Sequence, residues 1–140
     1  METKLVYESL NDIFKSKTED EIINNLSKIP KDYLNNELIG WSSSSGNSEF
    51  LDSEINKLKL YLKAGADINY IRKDGLSPLT CAIFWDQLEI AEFLLKNGAN
   101  PNLKNKNRKT PLDFILTKPL KEDRKIFIKL LKKYGLKDES

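Results

Sequence analysis

Gly65-Ala66-Asp67-Ile68-Asn69 is followed 33 residues later by Gly98-Ala99-Asn100-Pro101-Asn102. Ser77-Pro78-Leu79 is followed at the same interval by Thr110-Pro111-Leu112. Two independent phrases that share one period mark a stacked repeat of about 33 residues, each unit a turn and two helices. Such units present a binding surface and carry no intrinsic chemistry.

Working outward from these phrases, the chain divides into helices. Gly65 and Gly98 each close an apolar run, where a residue without Cβ reaches positive φ freely and caps a helix. Between them, residues 68–76 lack helical periodicity and predict a projecting turn. Residues 78–85 predict a short first helix and residues 88–96 a second. Residues 103–109 predict the next turn, 111–117 the next first helix, and 122–134 its partner, with Phe127, Leu130, Leu131 and Tyr134 on one face. Gly135 ends it, 37 residues after Gly98, so about four residues are added around Thr117-Lys118-Pro119-Leu120.

Upstream, residues 49–63 predict a helix with Ile55, Leu58 and Leu62 on one side. Ser42-Ser43-Ser44-Ser45-Gly46-Asn47 reads as a flexible loop. Val6, Leu10, Ile13 and Phe14 form one helical stripe, and Ile22, Ile23, Leu26 and Ile29 another. Thr18-Glu19-Asp20-Glu21 has the form of a capping box. Pro30 ends that helix and starts the next, marked by Tyr33, Leu34, Leu38 and Trp41.

The repeat resembles the ankyrin family. The family pattern D-G-x-T-P-L-H-x-A-A-x-x-G-H-x-E-I-V-x-L-L-L-x-x-G-A-D-x-N meets, in register, Asp74-Gly75-Leu76-Ser77-Pro78-Leu79-Thr80-Cys81-Ala82-Ile83 and then Leu88-Glu89-Ile90 through Leu94-Leu95-Lys96-Asn97-Gly98-Ala99-Asn100-Pro101-Asn102. The next unit is clear at Thr110-Pro111-Leu112-Asp113. The preceding one is clear only at its end, Leu60 to Asp67. The resemblance implies an all-α helical solenoid of about three repeats over residues 50–140, continuous with an N-terminal helical cap over residues 1–49. Two departures stand out. Thr80 and Asp113 replace the motif histidine, so a hydroxyl and a carboxylate must make its hydrogen bonds. Arg108 replaces the turn glycine, which predicts a second turn unlike the first.

The resemblance also implies where partners dock: the turn tips and the exposed side of the first helices. In the best repeat these positions are Lys73, Asp74, Leu76, Phe84 and Trp85. In the next they are Lys106, Asn107, Lys109, Thr117 and Lys118. Phe84 and Trp85 are either exposed aromatic anchors or packed on the N-terminal helices. Lys104 to Lys109, four cations in six residues, either meets an acidic partner or a phosphate backbone, or is simply solvated. Trp41 reads as core.

Composition narrows the function classes. The 140 residues carry a net charge of +2, yet residues 1–56 sum to −6 and residues 57–140 to +8, a split able to orient a charged partner. No apolar run is long enough to span a membrane. The single cysteine, Cys81, fits a reducing cytoplasm and an inert buried thiol. Abundant Lys and Asn with little Arg suggest an AT-rich, bacterial genome. The chain has no histidine, and no nucleophile elbow, phosphate loop or paired-cysteine spacing, so the expectation is a non-enzyme with neither cofactor nor metal. The expected function is protein–protein recognition by a binder that inhibits one partner protein, a cognate toxin or an enzyme, in the manner of an immunity or antitoxin protein. The alternatives are a scaffold or effector adaptor, and a nucleic-acid-binding module using the basic C-terminal half.

Overall fold

A computed structural model describes residues 13–15, 18–42 and 51–137, with residues 51–53 described by backbone only. Among the described residues there are seven helices and no strand: α1 (Glu19–Leu26), α2 (Lys31–Ser42), α3 (Leu51–Lys63), α4 (Pro78–Phe84), α5 (Leu88–Lys96), α6 (Pro111–Leu116) and α7 (Lys121–Lys133). The fold is the all-α helical solenoid that the resemblance implied.

Local chemistry starts each short helix. At α4 the Ser77 hydroxyl accepts from the Thr80 amide while the Thr80 hydroxyl accepts from the Ser77 amide at 2.7 Å. At α6 Thr110 and Asp113 make the same reciprocal pair, with the Asp113 carboxylate accepting from the Thr110 amide at 2.8 Å. Each pair satisfies amides that a helix start leaves orphaned, and the following proline donates none. Thr80 and Asp113 thus supply the bonds expected of the missing histidine. Helix ends are equally local. Gly65, Gly98 and Gly135 all take positive φ just after α3, α5 and α7. Thr18 caps α1 by accepting from the Glu21 amide.

The helices pack in two rows. α2 packs on α4 and α4 on α6, and each of these also packs on the helix that follows it. On the other side α1 lies on α3 and α5 on α7. One core runs through the stack, from Leu26, Leu34 and Leu38 through Leu58, Leu79 and Ile83 to Leu94, Ile115 and Leu131. Each such buried side chain contributes about 1.5–3 kcal/mol relative to exposure. Leu58 is fully buried as its stripe predicts, but Tyr61 is the largest buried side chain of α3, with Phe14 edge-on at 5.5 Å. Ile13, Phe14 and Trp41 pack against the core, whereas Val6 and Leu10 lie outside the described residues.

Two expectations change. Ser42 belongs to α2, where its buried hydroxyl donates to the Leu38 carbonyl at 2.7 Å; Ser43 to Asn47 lie outside the described residues. The second turn copies the first despite Arg108. Arg72 donates to Leu76 and Gly75 to Arg72 in one turn; Asn105 donates to Lys109 and Arg108 to Asn105 in the other. Arg108 is held at φ 62° where Gly75 has φ 89°. The turn's hydrogen bonds and Asn105, whose carboxamide accepts from the Asn107 and Lys109 amides, outweigh the conformational preference of one arginine.

Candidate functional site

The first helix of the central repeat, α4, ends in aromatic residues at the surface. α4 is uncharged along Pro78–Ile83, all buried, with Thr80 its one hydroxyl. Its last residue and its C-cap, Phe84 and Trp85, turn outward with 53% and 54% of their surface exposed. Their rings meet edge to face at 5.3 Å, which fixes both rings at little conformational cost. Neither ring belongs to the hydrophobic core among the described residues.

Phe84 is one wall of a cleft of about 320 Å³ between the end of α4 and the α6–α7 connection, lined also by Asp86, Phe114, Thr117, Lys118, Pro119, Leu120 and Asp123. A shallower depression of about 210 Å³ adjoins it through Phe114 and Thr117 and reaches Lys109. The four residues added to the last repeat make the cleft, because Pro119 and Leu120 stand out from the stack and Leu120 is 62% exposed.

The structure thus brings Phe84, Thr117, Lys118 and Lys109 together. Lys118 is not at the surface. It is 8% exposed, its ammonium pairs with Asp86 at 2.5 Å, and it lies 5.2 Å from the Phe127 ring centre. It ties the end of α4 to the last repeat and forms the floor of the cleft. Thr117 is exposed, with its hydroxyl turned back to the Phe114 carbonyl.

The turn tips form a separate edge. Lys73 is exposed, and Asp74 is engaged by Arg72 at 2.7 Å, which holds its carboxyl below the usual range. Leu76 is half-buried. Lys104, Lys106, Asn107, Arg108 and Lys109 are all exposed. Asn105 joins the two turns by donating to the Gly75 carbonyl at 3.1 Å. Phe114, Leu120 and Asp123 were not singled out from the sequence. Phe114 sits 33 residues after the buried Cys81, and nothing in the residue types foretells that one is core and the other lines a cleft.

Among the described residues no cluster of acidic, cysteine or histidine side chains could hold a metal, and no helix is long and apolar enough to cross a membrane. What the two surfaces offer is contact: an aromatic-walled cleft beside a basic edge.

The pattern known as ankyrin repeats matches residues 18–137 in three copies. This chain belongs to the ankyrin-repeat family. It is 43% identical over 61 residues to a Fowlpox virus (strain NVSL) protein named for its ankyrin repeats, covering 42% of this chain and 10% of the relative. It is 39% identical over 71 residues to human oxysterol-binding protein-related protein 1, covering 49% of this chain and 8% of the relative. A Borreliella burgdorferi protein, also named for ankyrin repeats, is 36% identical over 62 residues, covering 44% of this chain and 28% of the relative. The chain therefore spans less than a third of the length of each. Ankyrin repeats in general serve protein–protein interaction, and their working parts are surfaces.

Proposed function

We propose that the ankyrin surface described above recognises one partner protein and silences it by occupying it, as a cytoplasmic immunity or antitoxin-type inhibitor does. The observation that carries this reading is the Phe84–Trp85 pair: two large rings, each more than half exposed, held edge to face beside an open cleft. Aromatic anchors of this kind dominate interface energies when a partner desolvates them. Capping boxes pin the starts of α4 and α6, so the surface is pre-organised and loses little freedom on binding. Phe84, Trp85, Leu120, Phe114 and Thr117 form the contact, and Lys118 supports it from below.

The test uses purified candidate partners encoded beside the gene. Inhibition should titrate at about one chain per target and persist in chelator. Trp85→Ala should weaken binding by roughly 2 kcal/mol with helicity retained. A complexed target that keeps full activity removes the inhibitor reading and leaves recognition alone. Affinity unaltered by both Trp85→Ala and Phe84→Ala removes this surface.

A further inference from the structure

We propose that the last repeat holds a carboxylate-binding pocket, built around Arg108, that receives an acidic segment of the partner protein. The proposal rests on the recognition reading above and adds the chemistry of what is recognised. A pocket of about 330 Å³ lies between the turn of residues 104–109 and the chain just after α7. Lys104, Arg108 and Lys137 converge on it, with Thr110 and Asn102 beside them. The one carboxylate in its wall, Asp113, is turned to the Thr110 amide and hydroxyl at 2.8 and 3.1 Å, so it serves the helix start. Asn102 pins the far wall: its side chain accepts from the Lys137 amide at 2.9 Å and donates to the Gly135 carbonyl at 3.0 Å.

The second observation is backbone strain. Arg108 stands at φ 62°, in the same turn geometry that Gly75 occupies one repeat earlier. A side chain there costs stability that glycine would not, and strain of that kind concentrates where a side chain serves binding. Arg72, in the first turn, is already paired with Asp74. The second turn carries four cations and no acid, and its Lys106 and Lys109, outside the pocket lining, are exposed. A guanidinium matches a carboxylate with two parallel hydrogen bonds, which a lysine cannot reproduce.

Arg108→Gly separates this role from folding, because it removes the cation and relieves the strain together. The probe is an acetylated, amidated hexaglutamate peptide, followed by amide NMR titration at low salt, with hexaglutamine as the neutral comparison. The expected result is peptide-dependent shifts at Thr110, Arg108 and Lys137, and affinity lowered about ten-fold in Arg108→Gly while the melting temperature stays level or rises. Lys129→Gln, which alters an exposed cation of α7 outside the pocket, should leave affinity nearly unchanged. Equal affinity for Arg108→Gly and the parent, or an equal loss from Lys129→Gln, overturns the pocket in favour of diffuse charge. Inorganic phosphate moving the same amides where the peptide moves none also overturns it, since the site then takes a free anion. If the captured partner depends on Trp85 but not on Arg108, recognition stands and the acidic segment falls. If hexaglutamate binds through Arg108 but no protein partner is found, the pocket stands and the recognition reading falls.

Discussion

The Asn105 side-chain amide donates to the Gly75 carbonyl at 3.1 Å, and the same nitrogen lies 2.8 Å from where a Cβ on Gly75 would sit. The two residues belong to consecutive turns, so one contact fixes the spacing of neighbouring repeats and a side chain at position 75 would have to displace it. Gly98 has a similar φ, 98°, but open space around it. Gly75→Ala should therefore cost about 2–3 kcal/mol, from backbone strain plus the displaced amide, and Gly98→Ala only about 1 kcal/mol. Urea unfolding of both variants checks this; equal losses would mean that the Asn105 contact yields without cost.

Ile83 and Leu116 hold the same position in successive repeats, yet Ile83 is fully buried and Leu116 is 54% exposed. The reason is placement. α4 is flanked by α2 and α6, whereas among the described residues α6 has a first-helix neighbour on one side only. Ile83→Ala should cost about 2–4 kcal/mol, and Leu116→Ala less than about 1 kcal/mol. A large loss at Leu116 in thermal melts would show that its exposed side chain is covered in solution.

Lys118 is a structural lysine. Removing it as Lys118→Ala should lower stability by about 1–2 kcal/mol, through lost packing on Phe127 and loss of the Asp86 pair. The carboxylate of Asp86 is 63% exposed and is not stranded, which keeps the loss modest. Stability unchanged, with partner binding weakened, would move Lys118 from scaffold to contact.

Glu37 gives a pH signature. Burial raises its carboxyl above the ordinary 4.5, with the Trp41 hydrogen bond and Lys57 opposing. A raised carboxyl favours folding when protonated, and that contribution fades as pH climbs from the ordinary value through the folded one. Glu37→Gln keeps an acceptor for Trp41 without the charge. It should be more stable than the parent at pH 7, and the gap should close below about pH 4.5. A gap that is constant with pH, in denaturant titrations at several pH values, would assign the effect to packing instead.

Much of the stack was legible because its signals are local. Gly65, Gly98 and Gly135 mark helix ends that any reading of positive φ would find, and α5 spans the residues its stripe marks. α2 was harder to place. Its start carries no Ser/Thr-Pro-Leu phrase, so Leu34, Leu38 and Ile39 mark an apolar face without saying that it packs on α4. The site was legible in part. Phe84 and Trp85 stand out by type, but the cleft beside them depends on how Pro119 and Leu120 leave the stack. That is set by packing across 30 or more residues. Lys118 looked like a surface cation because residue type does not reveal a partner, and Asp86 lies 32 residues away.

Five side-chain bonds between successive units link residues 30 to 35 apart in sequence, Asn35 to Asp67, Asn69 to Asn100, Gly75 to Asn105, Asp86 to Lys118 and Asn102 to Lys137, and Lys63 to Glu19 spans 44. None of these bonds reaches from one end of the chain to the other. Loop-closure entropy is thus met in small, similar instalments, and chains organised this way fold quickly for their size. On a ribosome, each repeat would gain its partners about one repeat-length after it emerges, so folding would advance with synthesis and wait for no distant segment.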